Sequence, residues 1–474
     1  MLDELYAPSL SLLTDLYQVT MGYGYWRSGI HDRQAVFHLF FRSCPFEGAY
    51  AVAAGLEPAM QWLSNFHVSA DDVEFLRGLR GNDGQRLFSE TFLKTLRDMR
   101  LTIDVDAMPE GSIVFANEPI LRVTGPLWQC QWIETALLNL VNFQTLIATK
   151  AARVCQAAKG DRVLEFGLRR AQGIDGAISA SRAAHIGGCT ATSNVLAGKL
   201  LGIPVRGTHA HSWVMSFDDE PTAFEAYADA MPNNCVFLVD TYDTLEGVQN
   251  AIQVALRLRE EGHELLGIRL DSGDLAALSI TARRMLDDAG FPTAAIVASN
   301  DLDELSIKRL KTKGAQIAVW GVGTNLVTAR DQPALGGVYK LGAIQDHEGA
   351  WQPRMKLSDN PVKTSTPGIQ QVRRYYRDGE MVGDLLWSEL IGEPDKKEHP
   401  DLASFDHQED LLQPVVRDGS LIAPLPDLAK IRQHTNAGLQ AMPLRSLQLT
   451  DATAYPVSLE SRLNLQKERL MNTL

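Results

Sequence analysis

Four short stretches of this chain carry side chains suited to holding and activating an anion. Gly207-Thr208-His209-Ala210-His211-Ser212 sets two imidazoles two positions apart, so on an extended segment they share a side. An imidazole beside a phosphate serves as acid, base or nucleophile; two could also begin a metal site, but the spacing specifies no third ligand. A histidine with a purely structural role is the alternative for either one. Arg269-Leu270-Asp271-Ser272-Gly273-Asp274 puts two carboxylates three residues apart, able to take sugar hydroxyls or a hydrated Mg²⁺ that also binds substrate phosphate. Asp271 or Ser272 would serve equally as a helix cap. Gly321-Val322-Gly323-Thr324 offers backbone N–H groups and a hydroxyl for a terminal phosphate, without the lysine of a P-loop or the third glycine of a dinucleotide fingerprint. Arg169 and Arg170, with Arg269, add guanidinium forks that match carboxylate or phosphate. Each arginine alone could be an ordinary ion-pair partner. Three together, in a chain of formal charge −13, favour an anionic ligand.

What brings these stretches together is the pattern before them. Apolar runs at 162–166, 203–206, 235–239, 265–268, 294–298 and 316–320 each stop at a polar cluster, and helix-length segments such as 176–201, 245–261 and 275–289 lie between them. Strands alternating with helices predict a parallel sheet with right-handed crossovers, which deliver every strand's C-terminal end to one side, where ligands bind in such folds. All of the polar clusters should therefore meet at one site.

Composition narrows the ligand. Lys and Arg number 45 against 58 Asp and Glu, a surface that repels nucleic acid and anionic lipid and leaves a small molecule held by a local cluster of cations. The five cysteines, Cys44, Cys130, Cys155, Cys189 and Cys235, have no C-x-x-C or metal-like spacing and read as reduced core residues. No basic-then-apolar leader opens the chain and no apolar stretch reaches the roughly 20 residues of a membrane span. A cytoplasmic protein without nucleic-acid or membrane partners is expected.

At 474 residues the chain should hold two to three domains. Thr14 or Asp15 could cap a helix to Trp26 that carries Tyr17, and a strand over 35–41 and a helix over 54–66 follow. A polar, charged segment runs through 69–100, and 101–124 alternates like an antiparallel module. One long helix over 127–158 bridges into the parallel region, a further strand starts at Gly336, and an amphipathic helix over 459–470 ends the chain. The expected divisions are 1–150, 151–345 and 346–474.

Taken together and in order, Thr14-Asp15-Leu16-Tyr17-Gln18, Glu165-Phe166-Gly167-Leu168-Arg169-Arg170-Ala171-Gln172-Gly173, the Gly207–Ser212 and Arg269–Asp274 stretches, and Gly321–Thr324 with Gly336-Gly337-Val338-Tyr339-Lys340 resemble the nicotinate phosphoribosyltransferase family. The resemblance runs from Leu13 to Tyr455-Pro456-Val457. It implies an irregular parallel α/β barrel packed with an α/β sandwich built from both chain ends, and a homodimer with shared active sites. The implied reaction joins nicotinate to phosphoribosyl pyrophosphate, with ATP hydrolysis coupled through a phosphohistidine and Mg²⁺ on the pyrophosphate, as the first step of NAD salvage from nicotinate. By the same resemblance Tyr17 would lie against the nicotinate ring in the partner's site. Thr208 and Arg269, with Arg169 nearby, would hold nicotinate; Gly321, Gly323 and Thr324 the 5′-phosphate; Asp271 would lie near the ribose and His211 would be phosphorylated. Residues beyond about 390 receive no role. Relatives using nicotinamide or quinolinate share this logic, and a Schiff-base lyase would need a strand-end lysine, for which Lys340 is the candidate.

Overall fold

The protein was analysed as a computed structural model that describes residues 9–358, 364–394 and 405–473. The chain forms two compact units, one from Ile147–Pro333 and one from Met1–Leu146 with Ala334–Leu474.

The Ile147–Pro333 unit is built on six parallel strands. Their order across the sheet is Ala191–Thr192, Arg162–Glu165, Val319–Val322, Ala295–Ala298, Gly267–Leu270 and Val236–Leu238. Helices Gly173–Ile186, Val195–Leu201, Glu220–Ala230, Thr244–Glu260, Leu275–Asp288 and Glu304–Thr312 alternate with them, so strands that are consecutive in the chain are neighbours in the sheet apart from the Ala191–Thr192 to Val236–Leu238 step. The strands are short and apolar because both faces are covered: Phe237, Ile268, Leu270, Ile296, Ala298, Trp320 and Val322 are all essentially inaccessible.

Two parts of this unit differ from the sequence expectation. The small-residue segment expected to be one helix over 176–201 is two helices with the Ala191–Thr192 strand between them. The break falls at Gly187-Gly188, where a Cβ on Gly187 would meet the Ala148 carbonyl oxygen at 2.2 Å and Gly188 holds φ +117°. The Ile203–Arg206 run makes only a single parallel bridge, Val205 to Thr192, in place of a strand. Pro204 has no N–H to give a ladder; its carbonyl accepts from Thr192 N at 3.0 Å, and Arg206 N donates to Thr192 O at 3.0 Å. Past this bridge the chain runs on to His209, whose Nε2 accepts from Leu238 N at 3.2 Å. The segment after one edge of the sheet is thereby tied to the strand at its other edge.

The second unit is assembled from both ends of the chain. Its seven-stranded antiparallel sheet runs Trp351–Pro353, Gly337–Gln345, Gln34–Phe41, Leu121–Pro126, Asp104–Ala107, Gln413–Arg417 and Ser420–Leu421. A four-stranded sheet of His407–Asp410, Gln370–Arg377, Glu380–Ser388 and Val457–Leu459 accompanies it. Because Gly337–Gln345 pairs along its length with Gln34–Phe41, the boundary expected at 345 falls at 333, and Lys340 lies in this antiparallel sheet. The polar stretch 69–100 contains helices Ala70–Gly78 and Glu90–Arg97, started by Ser69 and Ser89 caps, the former a full capping box. The long bridging helix breaks at Ile133 into Leu127–Trp132 and Glu134–Ala158. Tyr17 sits on helix Leu16–Arg27, about half exposed. Asp15 occupies the N-cap position of that helix, but its side chain makes no capping bond and instead accepts from Thr135 Oγ1 at 2.7 Å, while Thr14 Oγ1 donates to Trp132 O. The stretch 356–361, which reads from its Ser, Asp, Asn and Pro residues as a loop, lies outside the described residues from 359 on. Among the described residues, no helix is long and apolar enough to cross a membrane.

Candidate functional site

The C-terminal ends of five of the six parallel strands, all but Val236–Leu238, open onto one cleft of about 600 Å³, lined by Phe166, Leu168–Arg170, Ser193, Gly207–Ser212, Arg269, Asp271, Ser299–Asp301, Gly321, Gly323 and Thr324. Of the site residues expected from sequence, His211, Asp271, Arg169, Thr208, Arg269, Gly321, Gly323 and Thr324 all line it. Tyr17 does not; it belongs to the other unit.

The first wall begins at Glu165, which is buried and spent on structure. One carboxylate oxygen accepts from Ser181 Oγ at 2.8 Å and Thr192 Oγ1 at 2.6 Å, and the other accepts from Gly167 N. That last bond starts the 3₁₀ turn Leu168–Arg170, which packs against helix Thr324–Val327 so closely that a Cβ on Gly167 would meet Val327 Cγ1 at 2.2 Å. The turn leaves Arg169 and Arg170 exposed in the cleft, and neither has a carboxylate within ion-pair distance among the described residues.

Arg269 is the most informative group. It rises from the Gly267–Leu270 strand, its Nη1 donates to Thr208 Oγ1 at 2.6 Å, and its buried Nε has no acceptor among the described residues. Burial lowers its pKa, while the charges of Asp271 and Asp240 work the other way. A buried donor left unsatisfied costs roughly 1–3 kcal/mol, more when charged, so this guanidinium is poised for an anionic acceptor. Thr208 passes the contact on by donating to His209 O at 3.1 Å.

Asp271 is held from three sides. Its N–H donates to Asp240 Oδ2 at 2.8 Å, its Oδ1 accepts from Ser299 Oγ, and its Oδ2 lies 3.8 Å from His211 Nε2. The helix cap expected from Asp271 or Ser272 comes instead from Asp274, which accepts from Ala276 N and Ala277 N at 3.1 and 3.3 Å. Ser272 Oγ donates to Asp240 Oδ2 at 2.6 Å. With Asp274 spent on the cap, Asp271 is the carboxylate of this pair that faces the cleft.

The two histidines part company. His211, at the start of the short helix His211–Val214, is partly exposed, with Nδ1 3.1 Å from Thr241 Oγ1 and Nε2 towards Asp271. His209 is 6 % exposed, packs against the rings of Phe224, Tyr227 and Phe237, and is committed through Nε2 to Leu238 N–H. Burial pulls its pKa down to about 4. Its ring is a neutral structural acceptor, so the pair does not form two legs of a metal site.

That assignment has a pH consequence. The unfolded chain takes up a proton on this histidine near pH 6.5 while the folded chain waits until about pH 4, so stability is complete above 6.5 and falls as pH drops towards 4. At about 1.4 kcal/mol per pH unit, roughly 2 kcal/mol should be lost between pH 7.5 and 5 through His209. Urea unfolding of wild type and His209→Gln at both pH values checks this: the variant should show the smaller pH dependence, and equal dependence would contradict the assignment.

The last wall is Gly321-Val322-Gly323-Thr324. A Cβ on Gly321 would meet Phe166 Cδ2 at 2.7 Å, and one on Gly323 would meet Phe166 O at 3.1 Å, so both glycines let the strand end lie against Phe166. Phe166, Ser299 and Asn300 line the cleft and Asp240 braces it, although sequence reasoning gave none of them a role. Asp240 and Ser299-Asn300 stand in polar clusters at strand ends, which was the available signal; Phe166 ends an apolar run and carries none. Lys340 lies in the other unit and no lysine lines the cleft, which removes the Schiff-base reading.

Comparison with known proteins gives a consistent result. Family models for the nicotinate phosphoribosyltransferase N-terminal domain, family and C-terminal domain match residues 12–142, 162–380 and 369–467. The Bacillus subtilis nicotinate phosphoribosyltransferase is 47% identical over 95% of this chain and 93% of its own length, and the Homo sapiens enzyme is 37% identical over 99% and 98%. A crystal structure of human nicotinic acid phosphoribosyltransferase superposes with a TM-score of 0.83 at 35% identity, covering 96% of this chain and 99% of that one.

Proposed function

Because the chain belongs to the nicotinate phosphoribosyltransferase family, we propose that its cleft joins nicotinate to the ribose of phosphoribosyl pyrophosphate, coupled to ATP hydrolysis, as the cytoplasmic first step of NAD salvage from nicotinate. The observation that carries this reading is Arg269, a part-buried guanidinium in the cleft lining that donates to the Thr208 hydroxyl and whose Nε has no acceptor among the described residues. A pyridine carboxylate satisfies both groups, with Arg169 as a further cation. Thr324, Gly321 and Gly323 take the 5′-phosphate, and Asp271 takes a ribose hydroxyl.

In the transfer, the pyridine nitrogen attacks C1 of the ribose, the bond from C1 to the pyrophosphate oxygen breaks, and pyrophosphate leaves with the electron pair. No proton need move. The contribution of these residues is to fix the two reactants in line and to stabilise a cationic C1 through Asp271. Among the described residues no three His, Cys, Asp or Glu side chains are grouped to hold a metal ion by themselves, so Mg²⁺ would be carried mainly by the pyrophosphate oxygens, with Asp271 and Asp301 as the carboxylates of the cleft lining, and would neutralise the departing pyrophosphate. For coupling, a nitrogen of His211 takes the γ-phosphoryl group of ATP with release of ADP, and water later cleaves the phosphohistidine. We also read the six-stranded sheet as an irregular barrel, closed between Leu238 and His209 through a side chain in place of a ladder, and the other unit as the accompanying sandwich.

The direct test is formation of nicotinate mononucleotide from nicotinate and phosphoribosyl pyrophosphate, with and without ATP, against nicotinamide and quinolinate as alternative acceptors. Absence of product with nicotinate would sink the reading. We further propose, on the family resemblance, that Tyr17 lies against the nicotinate ring of a neighbouring subunit, in a homodimer with shared sites. Mixing inactive Tyr17→Ala and inactive His211→Ala chains should then restore part of the activity through hybrid sites, whereas a fully active monomer in light scattering would exclude it.

A further inference from the structure

Asn300 lines the cleft with φ +115°, a strained conformation that non-glycine residues rarely adopt and that persists only where the surrounding structure imposes it. The Asn300 Oδ1 accepts from Asp301 N at 2.8 Å, and two tethers hold the chain that follows. Asn325 is 5 % exposed, and its Nδ2 donates to Asp301 O at 3.0 Å and Leu302 O at 3.1 Å, the two carbonyls that follow Asn300. On the far side, Asp303 and Ser306 form a capping box, and the next residue, Glu304, is gripped by Lys150 Nζ at 2.7 Å and Arg153 Nε at 2.9 Å in a buried cluster.

Asn325 directly follows Thr324. Its side chain therefore joins the loop that ends in Thr324 to the loop Ser299-Asn300-Asp301, and through the Ser299 hydroxyl to Asp271. We propose that Asn325 is a positioning residue that sets the span between these two loops, and that this span is the gauge by which the cleft selects a ribosyl phosphate over other phosphorylated ligands. The proposal rests on the phosphoribosyl reading, in which the 5′-phosphate lies at Thr324 and a ribose hydroxyl lies at Asp271, which the Ser299 hydroxyl joins to the second loop. A ligand that reaches both loops feels their spacing; one held by the Thr324 loop alone does not.

The experiment is calorimetric titration of wild type and Asn325→Asp with two probes, ribose 5-phosphate and inorganic phosphate. The aspartate keeps the shape but presents oxygens to two carbonyls that had received N–H donors. Ribose 5-phosphate should bind about 10-fold or more weakly, with inorganic phosphate within twofold of wild type. Asn325→Ser, which retains one donor, should fall between, and serves if the aspartate variant does not fold. Asn300→Gly should raise the melting temperature of wild type by relieving the strain, and raise that of Asn325→Ser by less, because the tether imposing the strain is weakened there. Equal weakening of both probes would make Asn325 a mere support of the Thr324 loop, and no weakening of either, or an identical Asn300→Gly gain in both backgrounds, would also overturn the proposal. Failure of wild type to bind either probe would instead remove the phosphoribosyl reading itself.

Discussion

Arg269→Ala should raise the KM for nicotinate by about 100-fold and erase the preference for nicotinate over nicotinamide, while the KM for phosphoribosyl pyrophosphate stays within a few-fold. The size follows from burial. Removing one partner of a buried, hydrogen-bonded charge pair costs roughly 2–5 kcal/mol, or about 30- to several-thousand-fold. In the wild type the same physics works against the amide: nicotinamide brings no charge to a part-buried guanidinium whose Nε has no other acceptor among the described residues, so it gains none of the ion-pair energy the acid gains there. Arg169 is exposed and screened by water, and Arg169→Ala should have a smaller effect. Steady-state kinetics with both acceptors decides the matter, and equal use of acid and amide by the wild type would overturn the assignment of Arg269 to the carboxylate.

His211→Ala should abolish ATP stimulation and all acid-labile, base-stable label from γ-labelled ATP, leaving at most slow ATP-independent synthesis. His211 is the partly exposed imidazole of the pair, with Asp271 on one side and Thr241 on the other, where phosphorylation adds charge and acceptor oxygens beside the substrate pyrophosphate. The natural comparison is the imidazole two residues earlier, but alanine there would orphan Leu238 N–H and open a hole among Phe224, Tyr227 and Phe237. His209→Gln, which retains an acceptor, is the better control, and it should keep its label. Label surviving in His211→Ala, or ATP without effect on wild-type turnover and equilibrium, would reject the phosphohistidine step and leave phosphoribosyl transfer standing.

Much of this site is legible in the amino-acid sequence, for a simple reason. Parallel strands alternating with helices must present their C-terminal ends together, so polar clusters that follow apolar runs are already cleft residues, and His211, Arg269, Asp271 and Thr324 are found that way. The identity of short elements was not legible. Gly187-Gly188 lies inside a small-residue run with helical composition, and only the approach of Ala148 O shows why the helix must stop and a strand intervene. Nor was the boundary at 333, because the strand after Gly336 looks like its predecessors and only its pairing with Gln34–Phe41 assigns it to the other unit. The division of labour between like residues was equally hidden. Local sequence offers His209 and His211, or Asp271 and Asp274, as near equals; one imidazole is taken by a backbone N–H of a strand that follows much later in the chain, and one carboxylate by the helix it begins. A side chain's chemistry is fixed by its type, but whether that chemistry is free to act depends on which distant donors, acceptors and rings have already claimed it, and only the tertiary structure decides that.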